Sequence, residues 1–181
     1  MNGSQAHIVK KVVIILIVAM LLFPVIYFLV RYSMYQTDKE AAPITDLSTY
    51  QKWNASVWVY DEPFTIFPDS SILLQAEKKE YLYKRVRSPF PLLYDGDAVL
   101  YLVCNLSKDA FCSECERLQQ LCGNRESGYG QNPAYVYAVR GGGFYYQYAL
   151  IDDEACTIYY IGFQNRAFAE KLIDETLLPM K

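Results

Sequence analysis

The residues best suited to chemistry in this sequence are two cysteines three positions apart. Cys112-Ser-Glu-Cys115 is a CxxC pair preceded by Phe111, at the front of a predicted helix and after a predicted strand. A thiol near a helix N-terminus is deprotonated more readily than a free one, and a second thiol three residues on closes the redox cycle. That setting makes disulfide exchange by Cys112 and Cys115 one reading. The other is packing: Phe111, Cys115, Leu118 and Cys122 recur at helical spacing, so Cys115 and Cys122 also serve as small buried apolar groups, with Cys112 beside them.

Three further thiols, Cys104, Cys122 and Cys156, make five in all. Cys115 and Cys122 lie about 10 Å apart along one helix, too far to bond. Cys104 and Cys156 fall on predicted strands and can pair if those strands are neighbours. The odd count leaves at least one thiol free or shared with another chain. Beyond the CxxC, Pro133 before a strand, a glycine turn, a further strand and a terminal helix resemble the second half of a thioredoxin fold. The resemblance implies a membrane-anchored thiol–disulfide protein. It departs at three points: Cys115 and Pro133 are only 18 residues apart, no Trp precedes Cys112, and no Pro lies within the CxxC.

Other chemistries are limited by what is missing. The one histidine, His7, precedes the apolar run, so the remainder of the chain has no Ser–His or Cys–His pair. Three cysteines on one helix without a second knuckle do not make a zinc site, and no metal or cofactor is expected. No GxGxxG or GK[ST] motif occurs. Carboxylates remain: Asp61, Glu62, Asp69, Asp95, Asp97, Asp152, Asp153 and Glu154. Two of them 5–10 Å apart would suit a glycosidase, but they fall in predicted turns, where Asp bonds its own backbone. Tyr135, Tyr137, Tyr146 and Tyr148 sit at alternate positions of two predicted strands. As one aromatic face they would bind a glycan, a wall polymer or a protein; as cross-strand pairs they would only stabilise the sheet.

These groups must be positioned by a chain of 181 residues with net charge −3. Residues 12–30, VVIILIVAMLLFPVIYFLV, carry no charge. Nineteen helical residues span roughly 28 Å, the thickness of a hydrocarbon core. Pro24 is tolerable in such a helix, and Tyr27 and Tyr32 suit the interfacial belt. No small-x-small site follows the run, so it is expected to remain as a signal anchor. Lys10 and Lys11 precede it, against Arg31 and Lys39 after it. The positive-inside bias expects residues 1–11 in the cytoplasm and the rest outside the cell membrane. That remainder is acidic, which disfavours nucleic-acid partners.

Residues 31–52 read as a juxtamembrane spacer, with Pro43 and no periodicity. Residues 53–181 read as one extracytoplasmic α+β domain with an antiparallel sheet of about five strands and one main helix packed on a face. SVWVY, EYLYKRVR, AVLYLVCN, PAYVYAVR, FYYQYALI and ACTIYYIGF supply the strand candidates, with FTIF at best an edge. The helix is SKDAFCSECERLQQLCG, capped by Ser107 and closed by Gly123. Asp95-Gly96, Gly141 to Gly143 and Asp152 to Glu154 mark turns, and RAFAEKLIDETLL suits a terminal helix.

SPFPLLYDGDAVLYLVCNLSKDAF, CERLQQL and PAYVYAVRGGGFYYQYALIDDEACTIYYI resemble small exported domains of Gram-positive bacteria, anchored or lipidated and without known activity. The resemblance covers the last 95 residues or so and excludes the CxxC. It implies an extracytoplasmic α+β domain and carries no functional residue over. The leading expectation is a membrane-tethered interaction module with a protein or wall partner, rather than an enzyme.

Overall fold

The computed structural model describes residues 3–50, 66–90, 96–127, 135–139 and 146–179. It divides into two compact units: Met1–Ala41 with Val86–Gly96, and Ala42–Arg85 with Asp97–Lys181.

The first unit is dominated by α1, Gly3–Glu40. Over Lys10–Glu40 it is long and apolar enough to cross a membrane, and Val12–Val30 are exposed along its whole surface. A helix apolar on every side has no internal core to face and is suited to lipid. The helix also continues through Arg31–Glu40, where the sequence suggested an irregular spacer. RYSMYQTDKE lacks Gly and Pro, so nothing in it stops propagation until Pro43 approaches.

The second unit holds the sheet. Its strands are β1 (Lys78–Arg87), β2 (Gly96–Asn105), β3 (Glu126–Ser127), β4 (Tyr135–Val139), β5 (Tyr146–Asp152) and β6 (Thr157–Phe163). They lie in the order β1-β2-β6-β5-β4-β3. The fold is α+β, as expected. Its body is four antiparallel strands, β2, β6, β5 and β4, with β1 and the two-residue β3 at the edges. Strand β2 begins at Gly96, whose φ of +122° only glycine adopts freely. A Cβ there would also collide with the Val86 carbonyl. SVWVY and the first half of FTIF lie outside the described residues, as do the expected turn at 141–143 and the expected loop over 128–134.

Four short helical elements and one main helix complete the unit; the first, a 3-10 turn at Leu47–Thr49, is capped by Asp46, which accepts from the Ser48 amide. The helix α2, Ser70–Gln75, is capped by Asp69, which accepts from the Ser71 and Ile72 amides. The main helix α3, Lys108–Cys122, begins where Ser107 accepts from the Ala110 amide and ends at Gly123 with φ +84°. The C-terminal stretch forms one turn, α4 (Arg166–Ala169), and a 3-10 turn at Glu175–Leu177, not a continuous helix. Asp174 caps the latter by accepting from the Thr176 amide, which interrupts the helical ladder.

Both faces of the sheet are apolar, and each has its own cover. On the first face Leu100, Leu102, Cys104, Ile158 and Tyr160 pack with Phe111, Cys115 and Leu118 of α3 and with Ile66, Phe67, Ile72 and Leu73. On the second, Val99, Tyr148, Leu150, Ile161 and Phe163 pack with Ala169, Ile173 and Leu178. Two buried faces explain why β2 reads as an almost continuous apolar run.

Candidate functional site

The CxxC lies within α3, not at its first turn. Phe111 N–H already donates to the Ser107 carbonyl at 2.8 Å, and the Ala110 amide is taken by the Ser107 hydroxyl. Cys112 therefore comes after the free amides that activate a thiol at a helix start. It is exposed, Cys115 is buried, and both are free. Burial pushes the Cys115 thiol up to about 11, against the pull of Arg125.

The possible Cys104–Cys156 disulfide is not formed. Their strands are neighbours, but the register sets Cys104 opposite Ile158 and Asn105 opposite Thr157, leaving Cys156 in the turn beyond. Cys156 has φ +46°, and its carbonyl accepts from the Leu106 amide at 3.0 Å. Burial raises Cys104 to about 12.

The four tyrosines do not form one face. Tyr137 pairs with Ala149 and Tyr135 with Ile151, whereas Tyr148 pairs with Ala138. Cross-strand partners share a face, so positions 135 and 137 fall on one side of the sheet and 146 and 148 on the other. Tyr148 is buried and donates to the Leu177 carbonyl at 2.9 Å. Tyr146 is exposed and stacks on Phe163, with ring centroids 4.9 Å apart.

Three of the described carboxylates of the sequence reading serve local structure. Asp69 caps α2, Asp152 accepts from the Ala155 amide at 3.0 Å, and Asp153 pairs with Arg125 at 2.8 Å. Hydrogen bonds from Ser71 and Ile72 hold the Asp69 carboxyl below its ordinary value. Burial raises Asp97, opposed by Asn165 and Lys171. Asp61, Glu62 and Asp95 lie outside the described residues. Among the described residues no group of three or more His, Cys, Asp or Glu is placed to hold a metal ion.

Two features were missed in the sequence. One is a buried polar network beneath α3. Glu114 is 1 % exposed. It accepts from the Tyr160 hydroxyl at 2.6 Å and from Arg117 at 2.6 and 2.8 Å. Arg117 also donates to the Ile66 carbonyl at 2.8 Å, so the network ties helix, sheet and the segment before α2 together. Its signal was legible: Glu114 interrupts the apolar stripe of Phe111, Cys115 and Leu118. Every charge in it is paired, which marks it as an internal fastening.

The other feature is a groove of about 480 Å³ on the second face, where the C-terminal cover stops short of β1. Leu82, Tyr101 and Leu172 are half-buried along it, and exposed Lys79, Glu80 and Asp174 border it. A smaller depression of about 240 Å³ continues past Glu80 to Val103, Asn105 and Thr157. Tyr159 is half-buried on the same face, opposite Val103. Burial, with Glu80 and neighbouring groups, raises the phenols of both Tyr101 and Tyr159, which keeps them neutral hydrogen-bond donors. No sequence signal isolates this groove, because it depends on where the chain after Phe163 runs.

No protein-family model matches the chain, and no curated protein or solved structure matches it either.

Proposed function

We propose that this chain is a membrane-tethered, non-catalytic binding module that holds a glycan at the membrane's outer face. The observation that carries the reading is the groove over Tyr101 and Leu82. A sugar ring presents an apolar face that stacks on a tyrosine and hydroxyls that need both donors and acceptors. The groove supplies that mixture: an aromatic and aliphatic floor with Lys79, Glu80 and Asp174 at its border. Such a site needs no activated nucleophile, which agrees with a CxxC beyond the first turn of α3 and an inner thiol raised by burial. The anchor is Val12–Val30, and Lys10 and Lys11 favour an N-terminus in the cytoplasm.

The test is retention of the full chain, held in lipid nanodiscs, on immobilised wall polysaccharides and oligosaccharides. The wild-type chain is expected to bind at least one glycan, and Tyr101→Ala and Lys79→Ala are expected to release it. No retention on any glycan, or retention that both variants leave intact, would sink the reading. Capture of an unglycosylated peptide through the same two residues would replace the glycan with a protein partner.

A further inference from the structure

The segment leaving β1 runs along α1 towards its apolar part. Asp38 accepts from the Arg87 amide at 3.0 Å and faces the Arg87 guanidinium at 3.5 Å. Arg31 donates to the Ser88 carbonyl at 3.0 Å. Phe90 packs on Phe28, with ring centroids 5.3 Å apart. As the segment advances from 87 to 90, its partners retreat along the helix from 38 through 31 to 28. Those three positions lie on one side of α1. The Ser88 hydroxyl accepts from the Phe90 amide at 3.0 Å, so the backbone carrying Phe90 keeps a polar partner of its own.

Depth follows from the helix. The uncharged run ends at Val30, and Arg31 is the first charge beyond it. Phe28 lies about 3 Å inside that boundary, at a rise of about 1.5 Å per residue. Phe90 sits beside it and is 54 % exposed. A large exposed aromatic ring at the depth of the acyl chains has lipid as its neighbour, not water. Pro89, immediately before it, limits the backbone that presents it.

We infer that residues 87–90 form a second membrane contact, in which Phe90 enters the lipid beside Phe28 and the Arg31 and Asp38 bonds hold it there. The inference rests on the reading of α1 as a membrane span. It makes the attachment two-pointed, which restricts rotation of the segment about the helix axis.

The test replaces single residues of the full chain with the photo-crosslinking residue p-benzoylphenylalanine, in vesicles of phosphatidylcholine and phosphatidylglycerol. Adducts are mapped by mass spectrometry. Positions 28 and 90 are expected to give acyl-chain adducts. Position 39, roughly 13 Å beyond Val30 along the helix, is expected to give none. Acyl adducts at 28 with none at 90 would overturn the second contact and leave the span intact. Loss of adducts at 28 as well would overturn the span and the inference with it. An Arg31→Gln, Asp38→Asn chain should lose the adduct at 90 and keep the one at 28. Retention at 90 in that chain would overturn the role given to the polar ties.

Discussion

The two faces of the sheet are built from the same strands yet finished differently. The first is closed by α3, α2 and the residues before it, and its one charged cluster is fully paired by Glu114, Arg117 and Tyr160. The second is covered by α4 and the turns after it only as far as Leu172 and Ile173. Leu82, Tyr101, Val103 and Tyr159 remain half-buried there. A buried cluster whose charges are all paired internally has none left with which to recognise a partner. A face that leaves an aromatic ring and three exposed charges around a groove does. On the binding reading proposed above, one side supplies stability and the other recognition.

The strongest way to break that contrast is to remove the buried charge. Glu114→Ala leaves Arg117 and the Tyr160 hydroxyl without their acceptor and is expected to cost about 3–5 kcal/mol. Thermal or denaturant unfolding of the full chain, followed by its near-ultraviolet signal, reads the loss. A cost below about 1 kcal/mol would mean that the network does not fasten the first face.

A smaller difference separates the two aliphatic layers. Leu118→Ala, fully buried under the first face, is expected to cost about 3 kcal/mol. The half-buried Leu82, treated the same way, should cost about 1 kcal/mol or less. Equal losses would mean that the second face is as closed as the first.

The thiols give the contrast a pH signature. Cys115 and Cys104 are raised by burial to about 11 and about 12, above their ordinary 9.0. The folded state thus holds these protons more tightly than the unfolded chain. Their stabilisation is complete below pH 9 and is lost as the pH rises towards those raised values. Unfolding midpoints collected from pH 8 to pH 11 should fall, and Cys115→Ala should flatten the fall. The reference stability of that variant is measured at pH 8, so a packing loss is separated from the slope. In the same range the three capping carboxylates, Asp46, Asp69 and Asp174, contribute no slope. Their lowered values place their loss at acid pH.

The smallest effect sharpens the picture of the first face. The Tyr81 hydroxyl is buried with no hydrogen-bond partner among the described residues. Tyr81→Phe is expected to leave stability unchanged or to raise it by about 1 kcal/mol, because it removes a desolvated group. A clear loss would reveal a bond to that hydroxyl.

Much of this architecture was legible in the residues. The charge-free run gave the apolar helix, and Ser107 and Gly123 bounded α3 to the residue. Alternation in EYLYKRVR puts Tyr81 and Tyr83 on one face, and the structure buries both. What failed depended on register and on long-range packing. Tyr135 and Tyr137 alternate within their strand just as Tyr146 and Tyr148 do. Only the pairing of Tyr137 with Ala149 sends the two pairs to opposite faces. The helix beyond Arg31 was missed because RYSMYQTDKE has no apolar stripe. Its ties run to Arg87 and Ser88, more than forty residues away in sequence. The groove was invisible for the same reason. Its walls come from β1, β2 and the chain after α4, and no local pattern brings those three together.

Hydrogen exchange of the full chain in nanodiscs, with and without a retained glycan, tests the assignment of recognition to the second face most directly. New protection is expected at residues 79–82, 101–103 and 172–174, with α3 unchanged. Protection confined to α3 or to the CxxC would contradict it and move recognition to the first face.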